Sequence, residues 1–172
     1  TLFRSSAASD VYKRQIGVGS MVFNSTGGAN VGIGADALRN NNASYNTAIG
    51  FAVMENNTTG EFNTAIGTKA LYSNTTGNSN VAVGRYALYN NSSSWNNVAI
   101  GDSALYNYSG SEGTLVAIGA QAGYNTQEHL TAIGYQALYN NTTGSQNMAM
   151  GWNSLYSNTI GRGNLGIGDD SL

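Results

Sequence analysis

Ala-Ile-Gly and its close variants return about every seventeen residues along this chain, and that period restricts the fold more than any other feature. Asn63-Thr64-Ala65-Ile66-Gly67-Thr68-Lys69-Ala70-Leu71-Tyr72-Ser73-Asn74-Thr75-Thr76-Gly77 restarts at Val81-Ala82-Val83-Gly84 and recurs after Thr131-Ala132-Ile133-Gly134. Taking the closing glycine as anchor gives Gly19, Gly34, Gly50, Gly67, Gly84, Gly101, Gly119, Gly134, Gly151 and Gly168, with steps of 15, 16, 17, 17, 17, 18, 15, 17 and 17 residues. A unit this short holds neither a helix pair nor a propeller blade. It holds two short extended segments and two turns, which is one coil of a parallel β-solenoid, or β-roll.

Within each unit the residue before the anchor is aliphatic (Ile33, Ile49, Ile66, Val83, Ile100, Ile118) and the one before that is Ala or Gly. Period-two alternation of this kind marks a strand. The aliphatic side is expected to face the coil interior, and the small side to meet something close, either the opposite wall or another chain. A second strand is expected over Ala-Leu-Tyr, its Leu position (Phe23, Leu38, Met54, Leu71, Leu88, Leu105) forming another internal column. The fold class read from the sequence is therefore all-β, about 17 residues per coil, and nine coil steps would span about 43 Å at the usual strand spacing.

The remaining positions are polar or aromatic. Asn63, Asn80, Asn97 and Asn147 close their units and are expected to point inward, bonding to their copies above and below. Gly60, Gly77 and Gly144 follow Asn-Thr-Thr and suit a positive φ. Tyr72, Tyr89, Tyr106, Tyr139 and Tyr156, with Tyr124 in the same column, recur once per coil beside these turns. Because Arg39 and Glu55 share that column, it is expected to reach solvent and to form an aromatic ladder for contact with sugar rings.

Residues 1–15 fall outside the pattern and resemble translated sequencing-adapter read-through, so the repeat domain is read as residues 16–172. Without that segment the chain carries four basic and eight acidic residues, a net charge of −4 that disfavours nucleic acid and anionic membrane. The last repeat breaks off at Leu172 without a capping segment, which reads as a fragment of a longer, metagenomic reading frame. No run long and apolar enough for membrane insertion is visible, and with no Cys there are no disulfides or thiolate metal sites.

Chemistry of an enzyme is not legible. Gly161-Arg162-Gly163-Asn164-Leu165-Gly166 matches Gly-x-Gly-x-x-Gly but opens no helix and lies inside a repeat, so no dinucleotide cofactor is expected. His129 is the only histidine, and Asp169-Asp170 lacks calcium-roll spacing, so no metal ligands are assigned. Glu112 and Glu128 are the nearest candidates for paired carboxylates, and nothing in the sequence brings them together. Asn-x-[Ser/Thr] sequons recur at Asn24, Asn42, Asn57, Asn74, Asn91, Asn107 and Asn141, as glycosylation sites or as turn composition. An ice-binding face is disfavoured, since Val81, Val98 and Val116 interrupt the strand Thr column.

The units Thr64-Ala65-Ile66-Gly67-x-x-Ala70-Leu71-Tyr72 and Thr131-Ala132-Ile133-Gly134-Tyr135-Gln136-Ala137-Leu138-Tyr139-Asn140-Asn141-Thr142-Thr143-Gly144 resemble repeats of bacteriophage tail-fibre proteins, some of which carry an endosialidase-type chaperone. The Ala-Ile-Gly element is similar to the head repeats of trimeric autotransporter adhesins. The resemblance runs from Ile16 to the end and implies a left-handed, trimeric, extracellular β-roll used for attachment to cell surfaces. The expectation is a structural and binding segment of a virion or bacterial surface fibre, displaying sites for cell-surface carbohydrate. A self-assembling, end-to-end filament is the alternative, and a tail-spike depolymerase is the enzymatic one.

Overall fold

The computed structural model describes residues 13–111 and 113–172. It is a β-solenoid: ten short strands, one per repeat, lie in a single parallel sheet in strict chain order. They run β1 (Arg14–Ile16), β2 (Val31–Ile33), β3 (Thr47–Ile49), β4 (Thr64–Ile66), β5 (Val81–Val83), β6 (Val98–Ile100), β7 (Val116–Ile118), β8 (Leu130–Ile133), β9 (Asn147–Met150) and β10 (Leu165–Ile167). Register never slips: Ala48 pairs with Ala65, Ala65 with Ala82 and Ala82 with Ala99. Each strand bonds to the next coil, so no coil buries its apolar surface alone.

The start of the solenoid differs from the expectation. Ile16 pairs with Ile33, so the glycine equivalent to Gly34 is Gly17, with φ values of 128° and 126°, and not Gly19. The first step is then 17 residues, like most of the others. Arg14 and Gln15, set aside with the adapter-like segment, belong to β1, while residues 1–12 lie outside the described part. The same two-residue shift puts Met21, 4% exposed, in the internal Leu column and leaves Phe23, 56% exposed, outside it.

The facing of the strands is the reverse of the sequence reading. Ala65, Ala82 and Ala99 are fully buried, whereas Ile66, Ile100 and Ile118 are each 38% exposed. The small residue faces inward because the opposite wall is close: a Cβ added at Gly32 would lie 2.7 Å from Met21 Cε, and one at Gly166 would lie 2.8 Å from Leu155 Cγ. The close approach is inside the coil. No branched side chain fits there, so the aliphatics take the outer side of the pleat.

The opposite wall carries the buried Leu column as expected, with Leu38, Met54, Leu71, Leu88, Leu105 and Leu138 all at 0% exposure. Yet it is not a strand. Leu71 and Leu88 sit at φ 53° and 54°, and Lys69 and Tyr86 two residues earlier at 54° and 58°. Leu71 N–H still donates to Ala87 O at 2.9 Å and Ser73 N–H to Tyr89 O at 3.1 Å, so coil-to-coil bonding survives without β geometry. A left-handed non-glycine residue costs about 1 kcal/mol or more, offset here by burial of a leucine worth about 2 kcal/mol.

The anchor glycines are required twice over. Gly67 has φ 125°, and an added Cβ would stand 2.6 Å from Gly84 O of the next coil. Gly60, Gly77 and Gly144 do not have the positive φ expected of them; it falls two residues later, at Phe62 (59°), Ser79 (57°) and Gln146 (59°). What Gly77 supplies is room, since a Cβ there would reach 3.0 Å from Asn91 Nδ2.

Gly67→Ala should therefore destabilise the central coils by at least about 3 kcal/mol, read as lost amide-exchange protection around β4 and β5. Leu88→Asp should abolish protection in the same coils, since an unpaired carboxyl would replace a fully buried leucine.

Candidate functional site

Three columns outside the hydrophobic core carry the polar and aromatic chemistry: the buried asparagines, the tyrosines and the outer face of the sheet. Two inward asparagine ladders flank the turn. The expected one runs through Asn30, Asn46, Asn63, Asn80 and Asn97, each fully buried. Asn80 N–H donates to Asn63 Oδ1 at 2.9 Å, and Asn80 Nδ2 donates to Ser94 O at 2.9 Å. Each amide thereby satisfies a backbone donor and a turn carbonyl that the narrow interior shuts off from water.

The second ladder was missed. Asn41, Asn57, Asn74 and Asn91 are also fully buried, Asn74 Nδ2 donating to Asn57 Oδ1 at 2.7 Å and Asn91 Nδ2 to Asn74 Oδ1 at 3.0 Å. Their recurrence three residues before Gly60, Gly77 and Ser94 was the available signal. Among the described residues only Asn24 Oδ1 and Asn153 Oδ1 are buried side-chain polar atoms without a partner.

This second ladder bears directly on the sequons. Asn57, Asn74, Asn91 and Asn141 are at 0% exposure and Asn24 at 5%, with their amides directed into the coil. A folded coil has no room for a glycan at these positions. Asn42 is exposed, its Oδ1 accepting from Ser25 N–H at 2.9 Å, and Asn107 is half-buried, its Nδ2 donating to Asn125 Oδ1 at 2.8 Å.

Tyr72, Tyr89, Tyr106, Tyr124, Tyr139 and Tyr156 form one continuous stack. Successive ring centroids are 5.2, 5.1, 5.1, 5.0 and 5.2 Å apart, with planes within 12° of parallel. Tyr86 stands edge-on to Tyr89 and Tyr106 at 5.6 and 6.0 Å. The rings are half-buried, and Lys69 Nζ lies 5.2 Å over the Tyr72 ring. Burial pushes the Tyr124 phenol up from its ordinary value, and the neighbouring Tyr139 and Tyr106 add to the shift. Parallel stacking closes the inner ring faces, which leaves edges and not faces to solvent.

Open aromatic faces lie elsewhere. Tyr45 and Phe62 stack on each other at 5.0 Å while remaining 58% and 56% exposed, and Trp95 and Trp152 are 45% and 51% exposed. Between them runs the outer face of the sheet, two outward positions per strand. All of these are aliphatic except Arg14, Thr47, Thr64 and Thr131.

Charged groups are few. Arg85 and Asp102 pair across adjacent coils at 2.6 Å, and that hydrogen bond holds the Asp102 carboxyl below its ordinary value. The pair adds a small stabilisation above the ordinary carboxylate range that fades as acid protonates Asp102; solvent screening keeps it minor. Among the described residues no three His, Asp or Glu side chains gather as a metal site would require. His129 Nδ1 lies 3.3 Å from Thr114 Oγ1 on the surface, Glu128 is half-buried in a turn, and Glu112 lies outside the described residues. Gly161 to Gly166 leads into β10, without the helix a dinucleotide site needs. No described helix is long and apolar enough to cross a membrane. Comparison with family models, curated proteins and solved structures gives no match.

Asn80→Ala should lower stability by about 2–3 kcal/mol, because it strands the Asn97 N–H inside the coil and leaves the Ser94 carbonyl only the long 3.4 Å bond from Asn91 Nδ2. Amide exchange should report the loss first at Asn97, while the exposed Ser93→Ala leaves protection unchanged.

Proposed function

We propose that this chain is a structural segment of an extracellular fibre whose coils associate with further copies of themselves through the outer face of the sheet. The observation that supports this reading most is the outward apolar column from Ile16 to Ile167, unbroken over ten strands and uncovered by any other part of the described chain, with a second outward column beside it that Thr47, Thr64 and Thr131 interrupt. The sixteen apolar outward positions, each baring on the order of 40 Å², present on the order of 600 Å², approaching the roughly 800 Å² that one partner gives to a standard interface. The largest apolar patch on an ordinary monomer is about 300–600 Å². A face of this length and regularity suits a partner with the same repeat, which a second copy supplies. Because the Ala column is enclosed in the coil, the contact between chains passes to the Ile and Val columns. Three copies around one axis, outside the cell, is the arrangement to which the tail-fibre and adhesin resemblance leads.

Attachment to cell-surface carbohydrate is the finer part of the proposal. The inner members of the tyrosine stack are poor candidates, since each ring face is covered by the next ring. Tyr45, Phe62, Trp95 and Trp152 have the open faces that sugar rings need.

Sedimentation of the full chain tests the assembly. The wild type should sediment as a small oligomer, and Ile66→Asp combined with Ile100→Asp should release single chains whose circular dichroism is unchanged. A wild type that stays monomeric at high concentration would overturn the proposal. Growth into polydisperse end-to-end filaments would replace it with the filament reading.

A further inference from the structure

The tyrosine stack has a chemical capacity that packing alone does not use. Six phenols held at centroid distances of 5.0–5.2 Å, with planes within 12° of parallel, are far more regular than stiffening of the coil demands. Their spacing is imposed by the coil step of about 4.8 Å, so it is the same at every junction. Tyr86 adds a seventh ring edge-on to the centre of the row. The rings are half-buried: solvent reaches their edges, while the core side of each coil fixes where they stand. The row also lies beside the Leu wall and not on the outer sheet face, so association through that face leaves it open.

We infer that the row from Tyr72 to Tyr156 is an oxidative cross-linking site, in which one-electron oxidants convert adjacent stacked tyrosines into dityrosine. Two oxidant molecules each take one electron from a phenol, and each phenol gives its O–H proton to water. The two tyrosyl radicals carry spin density on the ring carbons beside the oxygen. One carbon–carbon bond forms between such carbons on neighbouring rings. The hydrogen left on each bonded carbon then moves to its oxygen, restoring both aromatic rings. The balance is two electrons to the oxidant and two protons to solvent.

Stacking assists each stage. A ring with a neighbour on both faces shares its positive charge with them, so an electron hole that enters at an edge can migrate to an adjacent pair. Coupling requires rotation of two adjacent rings about Cβ–Cγ and Cα–Cβ to bring their edge carbons together, and along the row the next ring, 5.0–5.2 Å away, is the nearest phenol. Tyr45 and Tyr135 are well exposed but have no tyrosine stacked on them; their ring neighbours are Phe62 and Trp152. Exposure alone therefore predicts a different product pattern from stacking. The consequence for the molecule is a covalent seam along one edge, joining coil to coil where hydrogen bonds and packing join them otherwise.

Photo-oxidation of the dilute full chain by tris-bipyridyl ruthenium and persulfate tests the inference. Single chains should gain dityrosine fluorescence, and peptide mapping by mass spectrometry should place the links between successive row members such as Tyr89–Tyr106 and Tyr106–Tyr124. Tyr89→Phe with Tyr124→Phe keeps the stack but interrupts the phenols, and should cut the intrachain yield at least several-fold at an unchanged melting temperature. Tyr45→Phe with Tyr135→Phe should leave the yield unchanged. The inference fails if dityrosine is absent from single chains, if links fall mainly between chains, or if the two double variants lose equal yield.

Discussion

A seventeen-residue coil encloses a space only wide enough for an alanine to face a leucine, and the rest of the architecture follows from that narrowness. One wall must be built of Ala or Gly, because a Cβ at Gly32 already crowds Met21. Branched aliphatics cannot enter and are turned out. Water cannot enter either, so every turn carbonyl and amide that points inward needs a protein partner. The asparagine ladders are the solution, since one amide both donates and accepts, and its copy one coil away completes the set.

The two irregular coils show what happens when that arrangement is interrupted. Between Gly101 and Gly134 the ladder positions are taken by Tyr108, Leu115, Thr126 and Leu130, so two leucines and a tyrosine displace amides while Thr126 Oγ1 accepts from Asn141 Nδ2 at 3.3 Å. Gly123 stands where other coils have Leu, and a Cβ there would meet Leu130 at 3.5 Å, so Leu130 fills the volume that Gly123 vacates. Leu115 N–H still donates to Asn97 Oδ1 at 3.1 Å, which ends the ladder without an orphaned acceptor. The changes in loop length are thus matched by compensating changes inside the coil, and the strand register passes through them intact.

Turning the aliphatics outward gives the molecule a dry core and an unusually apolar exterior on one side. Each strand contributes little by itself, three or four residues with an inward alanine or glycine in all but β1, so stability is collective and runs along the axis. The same repetition that secures the core also aligns the exposed groups. It turns single isoleucines into a continuous face and single tyrosines into a stack, and both proposed roles draw on that alignment.

The period by itself determined the architecture: one coil per repeat, parallel strands, an internal Leu column, an inward Asn column and a tyrosine row. Those follow because a repeat that stacks in register places like on like, whatever the side chains are. Which side of the strand is inside was decided only by the tertiary structure. Alternation in Thr-Ala-Ile says that two faces exist; it does not say how far away the opposite wall is, and a wall this close selects Ala over Ile. For the same reason the second ladder, Asn57 to Asn91, read as sequons in turns, because a tripeptide does not reveal that its amide points into a dry interior. The Ala-Leu-Tyr segment has the composition of a strand, but closing the coil in so few residues requires leucines in left-handed backbone, and that requirement belongs to the ring and not to the segment. The tyrosines were legible as a row, while their closed faces became evident only once the coil step fixed the rings about 5 Å apart.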